Sequence, residues 1–285
     1  MLNCSAVCKA NNGAVTRGAA QATRGARHVV VVVAVALSLG SCATVESGQR
    51  AAANVLLPPA DEVAIGKKMK KELAKELKLH PSSEIQSYLD SIGKKMARRV
   101  KSPVPLNFHV IDDDKQVNAF AIPGGDIYVF SGMLKLADDE AEIACVLGHE
   151  ISHVTRRHIA QKLVQQVGLE ALLSLALGDA PGILTGLAAQ VAGTGVLLKF
   201  SRDHERDADE FGLPLCNSAG YDPQGYVRMF QKIRKMGESS AAGSFLQSHP
   251  LPTERIEDAQ VRITAMKVKG TATNEREYAA FKAQL

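Results

Sequence analysis

The stretch Val146-Leu147-Gly148-His149-Glu150-Ile151-Ser152-His153 decides the reading of this 285-residue chain. It lies in a run from Asp138 to Lys162 whose apolar residues Ile143, Ala144, Val146 and Leu147 recur at helical spacing behind the acids Asp138, Asp139 and Glu140, which suit a helix N-terminus. On such a helix His149 and His153 project from one face, one turn apart, so that both imidazoles reach a single metal ion. Tetrahedral zinc takes imidazole nitrogens at about 2.0–2.1 Å, and this spacing supplies two of them without bending the backbone. Glu150 is rotated about 100° from His149 and lies beside the metal, where it can take a proton from a water at the zinc.

A catalytic zinc takes a third protein ligand and keeps a fourth position open. The metzincin extension fails here, because Arg156 and Ile159 stand where its glycine and histidine belong. His158 is nine residues past His149 and, on a helix running through Lys162, falls about half a turn from the metal face. Glu205 in Ser201-Arg202-Asp203-His204-Glu205-Arg206-Asp207-Ala208-Asp209 is the better third ligand. It shares a helix face with Asp209, which is placed to accept a hydrogen bond from a ligand histidine's other ring nitrogen.

Further motifs stand in order along the chain: Asn118-Ala119-Phe120-Ala121 with Pro123-Gly124-Gly125, then Arg157-His158, then Ser248-His249-Pro250 with Arg255. Together with the two helices above they resemble the gluzincin zinc metallopeptidases of the HtpX and CAAX prenyl protease type, in their periplasmic lipoprotein branch, over roughly Asp61 to Met266. The resemblance implies one zinc per chain held by His149, His153 and Glu205, Glu150 as catalytic base, and Asp209 behind the ligands. It implies that Asn118, Ala119, Phe120 and Ala121 form an edge strand that binds extended substrate by backbone pairing. It also brings His249 to the cleft, with two roles open: a latch filling the fourth zinc position, or a donor to the oxyanion of the reaction. Arg255 is then an anchoring or transition-state partner.

Residues 1–41 carry Lys9, Arg17, Arg24 and Arg27 and no acid, followed by the apolar run Val29 to Leu39 and by Leu39-Gly40-Ser41-Cys42. A charged start, a short apolar core and small residues before a cysteine predict a lipoprotein signal peptide, cleaved before Cys42, whose thiol takes the lipid. The apolar run is too short to span a bilayer comfortably. The net charge of +4 belongs to this segment, since the rest of the chain has 30 basic and 30 acidic side chains. No basic patch interleaved with aromatics points to nucleic acid. By analogy with the family, Ala43 after the cysteine predicts sorting to the outer membrane. Of the cysteines beyond the signal, Cys145 and Cys216 are the pair able to bond in an oxidising compartment. Cys145 reads more readily as a small buried thiol packed under the metal helix than as a ligand.

The predicted organisation is a signal peptide over 1–41, a tether over 42–60, a metallopeptidase domain over 61–270 and a polar tail over 271–285. The fold class is α+β, mostly helical, with a small three-stranded sheet beside the metal helix. Apolar periodicity predicts helices over Asp61 to Leu79 and Ser82 to Val100, and the alternating Leu106, Phe108 and Val110, the short apolar Val117 to Ile122 and the strand-like Ile127 to Phe130 predict the strands. Leu163 to Phe200, rich in Leu, Ala and Gly and broken at Gly178-Asp179-Ala180-Pro181-Gly182, reads as two apolar helices that cap the cleft or touch a bilayer. The function expected is a zinc endopeptidase of the bacterial envelope that cuts unfolded or misassembled membrane and periplasmic proteins. Its partners would be those substrates, the membrane through lipidated Cys42, and the outer-membrane assembly machinery. The alternative is a non-proteolytic chaperone or assembly factor with structural zinc.

Overall fold

The computed structural model describes residues 42–167, 171, 174, 181–194, 196–238 and 240–285. At its centre is the helix Glu140–Thr155, buried from Glu140 through Val154. Asp139 caps it by accepting a hydrogen bond from the Glu142 amide at 3.0 Å, which satisfies one of the donors a helix start leaves open. A helix buried all round needs partners on every side. They are Ser83–Ala97, the sheet, Arg202–Ser218, Gln224–Met236 and the C-terminal Glu275–Lys282.

In chain order the described helices are α1 (Cys42–Leu56), α2 (Pro59–Glu76), α3 (Ser83–Ala97), α4 (Ser131–Leu136), α5 (Glu140–Thr155), α6 (His158–Val167), α7 (Pro181–Thr194), α8 (Arg202–Ser218), α9 (Gln224–Met236), α10 (Gly243–Ser248), α11 (Thr253–Ala265) and α12 (Glu275–Lys282). The strands are β1 (Asn107–Ile111), β2 (Ala119–Ala121) and β3 (Asp126–Phe130). The fold is thus α+β and mostly helical, with one small sheet of order β1-β3-β2. β1 runs parallel to β3 with Val110 opposite Val129, and β2 runs antiparallel with Phe120 opposite Tyr128. The turn from β2 to β3 has Gly124 and Gly125 at positive φ, and a Cβ on Gly125 would lie 2.0 Å from the Pro105 carbonyl oxygen. β2 lies at the sheet edge, and just before it the Val117 amide donates to the Ala241 carbonyl at 2.9 Å.

The chain divides into two units, Met1–Ala52 and Ala53–Leu285. The predicted signal segment 1–41 lies outside the described residues, as does much of the break expected near Gly178. Among the described residues no helix is long and apolar enough to cross a membrane.

Two features differ from the sequence reading, and a third settles a pairing that it left open. Residues 42–56, read as part of a tether, are helical, and Ala53 and Leu57 are buried in the core. The polar tail is instead α12: Tyr278 and Phe281, three residues apart, share one buried face. Phe281 stacks on Tyr88 with ring centroids 4.0 Å apart, and the Tyr278 hydroxyl donates to the Leu134 carbonyl at 2.6 Å. Two aromatics outweigh a polar composition, since each buries a large apolar area. The third feature is a disulfide between Cys145 and Cys216, which staples α5 to α8.

Candidate metal centre

Four side chains from three elements converge: His149 and His153 from α5, Glu205 from α8 and His249 just after α10, all buried, with one donor atom each inside a 4.8 Å span. His149 Nε2 lies 3.0 Å from His153 Nε2 and 3.4 Å from a Glu205 oxygen, and His153 Nε2 lies 3.4 Å from the other. His249 Nδ1 lies 3.3 Å from His149 Nε2 and 3.2 Å from Glu205 Oε1. Ligands about 2.0–2.1 Å from a tetrahedral zinc are themselves roughly 3.3 Å apart. The donors therefore already stand at the edge lengths of such a polyhedron, and three imidazoles with one carboxylate are a set that suits zinc.

The surrounding groups also call for a cation. Burial opposes charge on His149, yet Asp209 and Glu205 raise its imidazole to about 9, so positive charge is drawn to this point. Burial holds His153 well below the ordinary histidine range, which leaves it in the neutral form that binds metals. Burial also works against the Glu205 carboxylate, but Arg255 and His249 outweigh it and keep the group ionised.

Behind the donors, His149 Nδ1 lies 2.9 Å from Asp209 Oδ1. Asp209 is held by Arg255, whose Nε and Nη2 each donate at 2.8 Å, and by the Tyr226 hydroxyl at 2.6 Å. Arg255 Nη1 donates to Glu205 Oε2 at 2.5 Å and to the Pro250 carbonyl at 2.8 Å. One buried guanidinium thus ties the carboxylate behind His149, the carboxylate among the donors and the segment carrying His249. Its planar fork is suited to this, and a lysine would reach only one of them at a time.

Glu150 follows His149 on α5 and is 0 % exposed, yet neither of its carboxylate oxygens has a hydrogen-bond partner among the described residues. His249 Nε2 lies 3.6 Å from its Oε1. Burial raises its pKa, with His249 and His149 opposing the rise.

The helices carrying these groups approach through glycine. A Cβ on Gly148 would lie 2.9 Å from the Gly212 carbonyl oxygen, and one on Gly212 would lie 3.0 Å from Gly148 C and O and from His149 N. That contact, next to His149 in sequence, lets Glu205 on α8 reach the face of α5.

Asn118, Ala119, Phe120 and Ala121, expected to meet substrate, are all buried, with Phe120 stacked on Tyr128 at 5.2 Å. Ala119–Ala121 are β2, the edge of the sheet, and Asn118 directly precedes it.

His158 corrects the sequence reading. It had been placed half a turn from the metal face on an unbroken helix. In fact α5 ends at Thr155, Arg157 turns the chain at φ 62°, and α6 begins at His158, which brings His158 Nδ1 to 3.1 Å from His153 Nδ1. Sequence reasoning also missed Asp207 and Tyr226. Asp207 lies between Glu205 and Asp209 on α8 and points to the opposite flank, and no local pattern marks it.

Comparison with known proteins gives the chain a family. The model of Peptidase family M48 matches residues 83–263, a range that takes in every residue of the centre. The chain is 31% identical over 202 residues to the beta-barrel assembly-enhancing protease of Yersinia pestis, covering 67% of this chain and 41% of that protein. Its counterpart in Escherichia coli K12 is 30% identical over 207 residues, covering 69% and 42%. The metalloprotease LoiP of Escherichia coli K12 is 28% identical over 254 residues, covering 85% and 99%. The chain thus spans about two fifths of the assembly-enhancing proteases and nearly all of LoiP. On the family match and these identities, the chain belongs to peptidase family M48.

Proposed function

We propose that this chain is a zinc-dependent endopeptidase of the bacterial envelope, acting on unfolded or misassembled membrane and periplasmic proteins. The observation that carries the reading is Glu150: a fully buried carboxylate with no hydrogen-bond partner among the described residues, beside four converging metal donors. An unpaired buried carboxylate costs several kcal/mol, an expense a chain retains for chemistry rather than for stability.

In this reading His149, His153 and Glu205 hold the metal. Bound zinc would supply Lewis acidity toward the scissile carbonyl and make the attacking water acidic. Glu150 takes the proton from that water and passes it to the leaving amine, and its upward-shifted pKa suits a group that must both accept and return a proton. Asp209 and Arg255 keep His149 and Glu205 oriented. The β2 edge aligns an extended peptide by backbone pairing. His249, among the donors and 1 % exposed, acts as a latch on the fourth position.

Four donors instead of three also favour the second reading, a chaperone or assembly factor with a closed structural zinc. Two variants separate the readings. Glu150→Gln should keep one zinc per chain by mass spectrometry and lose cleavage of an unfolded substrate such as reduced casein. His249→Ala should retain zinc and cut faster. If Glu150→Gln cleaves like the wild type, the base assignment fails; if His249→Ala releases its zinc, the structural reading replaces ours.

The envelope assignment rests on the sequence around Cys42 and on similarity to the assembly-enhancing proteases and LoiP. Incorporation of labelled palmitate, lost in Cys42→Ser, and fractionation with the outer membrane would test it. The relatives' name, beta-barrel assembly-enhancing protease, makes outer-membrane assembly factors the partners to seek by crosslinking.

A further inference from the structure

His153 is supported differently from His149. A carboxylate, Asp209, stands directly behind His149. Behind His153 stands a second imidazole, with His158 Nδ1 3.1 Å from His153 Nδ1, and the carboxylate comes only after it: His158 Nε2 lies 2.9 Å from Asp207 Oδ2. Asp207 is itself gripped by Arg156, whose Nε donates at 2.7 Å and Nη2 at 2.9 Å. His158 and His153 are fully buried, and His158 stacks on His204 at 4.5 Å with the planes 19° apart.

We propose that His158 and Asp207 are positioning residues that set the tautomer of His153 and thereby the affinity of the centre for its metal. The argument is a count of protons. An ionised carboxylate only accepts hydrogen bonds, so the proton between Asp207 and His158 sits on His158 Nε2. With that single proton on Nε2, His158 accepts at Nδ1, so the 3.1 Å bond to His153 is donated by His153 Nδ1–H. That leaves the lone pair of His153 on Nε2, which faces His149 Nε2 at 3.0 Å and Glu205 Oε1 at 3.4 Å. Turning the His158 ring over, or removing its acceptor, frees the His153 proton to move to Nε2, where it blocks coordination.

The relay depends on the chain's left-handed corner. Arg157 takes φ 62° between α5 and α6, a conformation that L residues seldom adopt. The corner is held from α2, where Glu62 pairs with Arg157 at 3.1 Å, and from Leu57, whose carbonyl accepts from Arg157 Nη2. Continuing α5 as a helix would carry His158 away from His153. The corner folds it back, onto the flank of α8 that Asp207 faces.

The inference rests on His153 being a metal ligand, and the test separates the two. Zinc affinity of the full chain is measured by competition with a chromophoric chelator for wild type, His158→Phe, His158→Asn and Asp207→Asn. The unfolding midpoint of each metal-free protein is measured alongside. His158→Phe keeps a ring against His204 but no acceptor, and should weaken zinc binding by about 10–100-fold, the range for loss of a group that orients a ligand. His158→Asn retains an acceptor close to the Nδ1 position and should recover part of that loss, which a packing role would not require. Asp207→Asn should weaken binding with little change in the metal-free midpoint. In the zinc-loaded wild type, nitrogen-15 spectra of labelled histidine should show His158 protonated at Nε2 and His153 at Nδ1. A wild type that takes up no zinc overturns the ligand assignment itself. A wild type that holds zinc while His158→Phe binds it within about twofold, or a His158 found protonated at Nδ1, overturns the relay alone.

Discussion

Replacing Gly212 by alanine tests whether the α5–α8 contact sets the metal geometry. The new methyl would lie 3.0 Å from Gly148 C, Gly148 O and His149 N, all backbone atoms that cannot rotate aside. Ordinary contact begins near 3.4 Å, so the helices must part by a few tenths of an ångström. They are not free to do so, because the Cys145–Cys216 disulfide joins them close to the same level. Alanine for glycine inside a helix gains about 1 kcal/mol of propensity, and overpacking against fixed backbone costs about 1–3 kcal/mol, so net destabilisation of up to ~2 kcal/mol is expected. The sharper effect should be on the metal. Glu205 is on the helix that moves and His149 and His153 are on the other, so a shift of a few tenths of an ångström takes up most of the about 0.5 Å of misplacement that functional constellations tolerate. Zinc affinity should fall about tenfold or more, equivalent to ~1.4 kcal/mol. Urea unfolding with and without zinc, together with chelator competition, measures both terms. Gly186→Ala is the control: its Cβ would meet nothing within 4 Å among the described residues, so it should be neutral or stabilising. Gly212→Ala in a Cys145→Ser/Cys216→Ser background should be less costly, because the helices can then splay. A Gly212→Ala protein as stable as the wild type and equally avid for zinc would refute the reasoning.

Reducing the Cys145–Cys216 bond, which closes a loop of sequence separation 71, should lower stability by about 4 kcal/mol on the loop-entropy estimate. Urea midpoints with and without dithiothreitol measure this, and no shift would show that the bond leaves the unfolded ensemble unconstrained. Asp126 offers a pH prediction. Burial works against its charge, but hydrogen bonds from His109 at 2.6 Å and Lys70 at 2.7 Å outweigh it and hold the carboxyl below the ordinary range. A depressed folded pKa means that its stabilisation is present above the unfolded value of about 3.9 and is lost as pH falls through the folded value. Asp126→Asn should therefore flatten the acid limb of the stability curve below about pH 4, and an unchanged limb would remove Asp126 from the account.

Local spacing determined a great deal in this chain. His149 and His153 at i, i+4, the off-face Glu150, and Glu205 with Asp209 on a second helix are legible because neighbours one turn apart share a face whatever the rest of the chain does. The strand Asn107–Ile111 is legible through alternation, and Asp126–Phe130, buried throughout, through its short apolar run. Tertiary structure decided what spacing cannot carry. His158 looked misplaced because a helical wheel assumes that the helix continues, whereas the corner at Arg157 is held by Glu62, a partner from a distant element. The C-terminal segment looked like a tail because the value of Tyr278 and Phe281 depends on Tyr88 and Leu134 being there to cover them. The approach of Gly148 to Gly212, the pairing of Cys145 with Cys216 and the arrival of His249 among the donors are likewise contacts between residues far apart in sequence. Their partners are chosen by packing of the whole core, so no window of sequence contains the information that selects them.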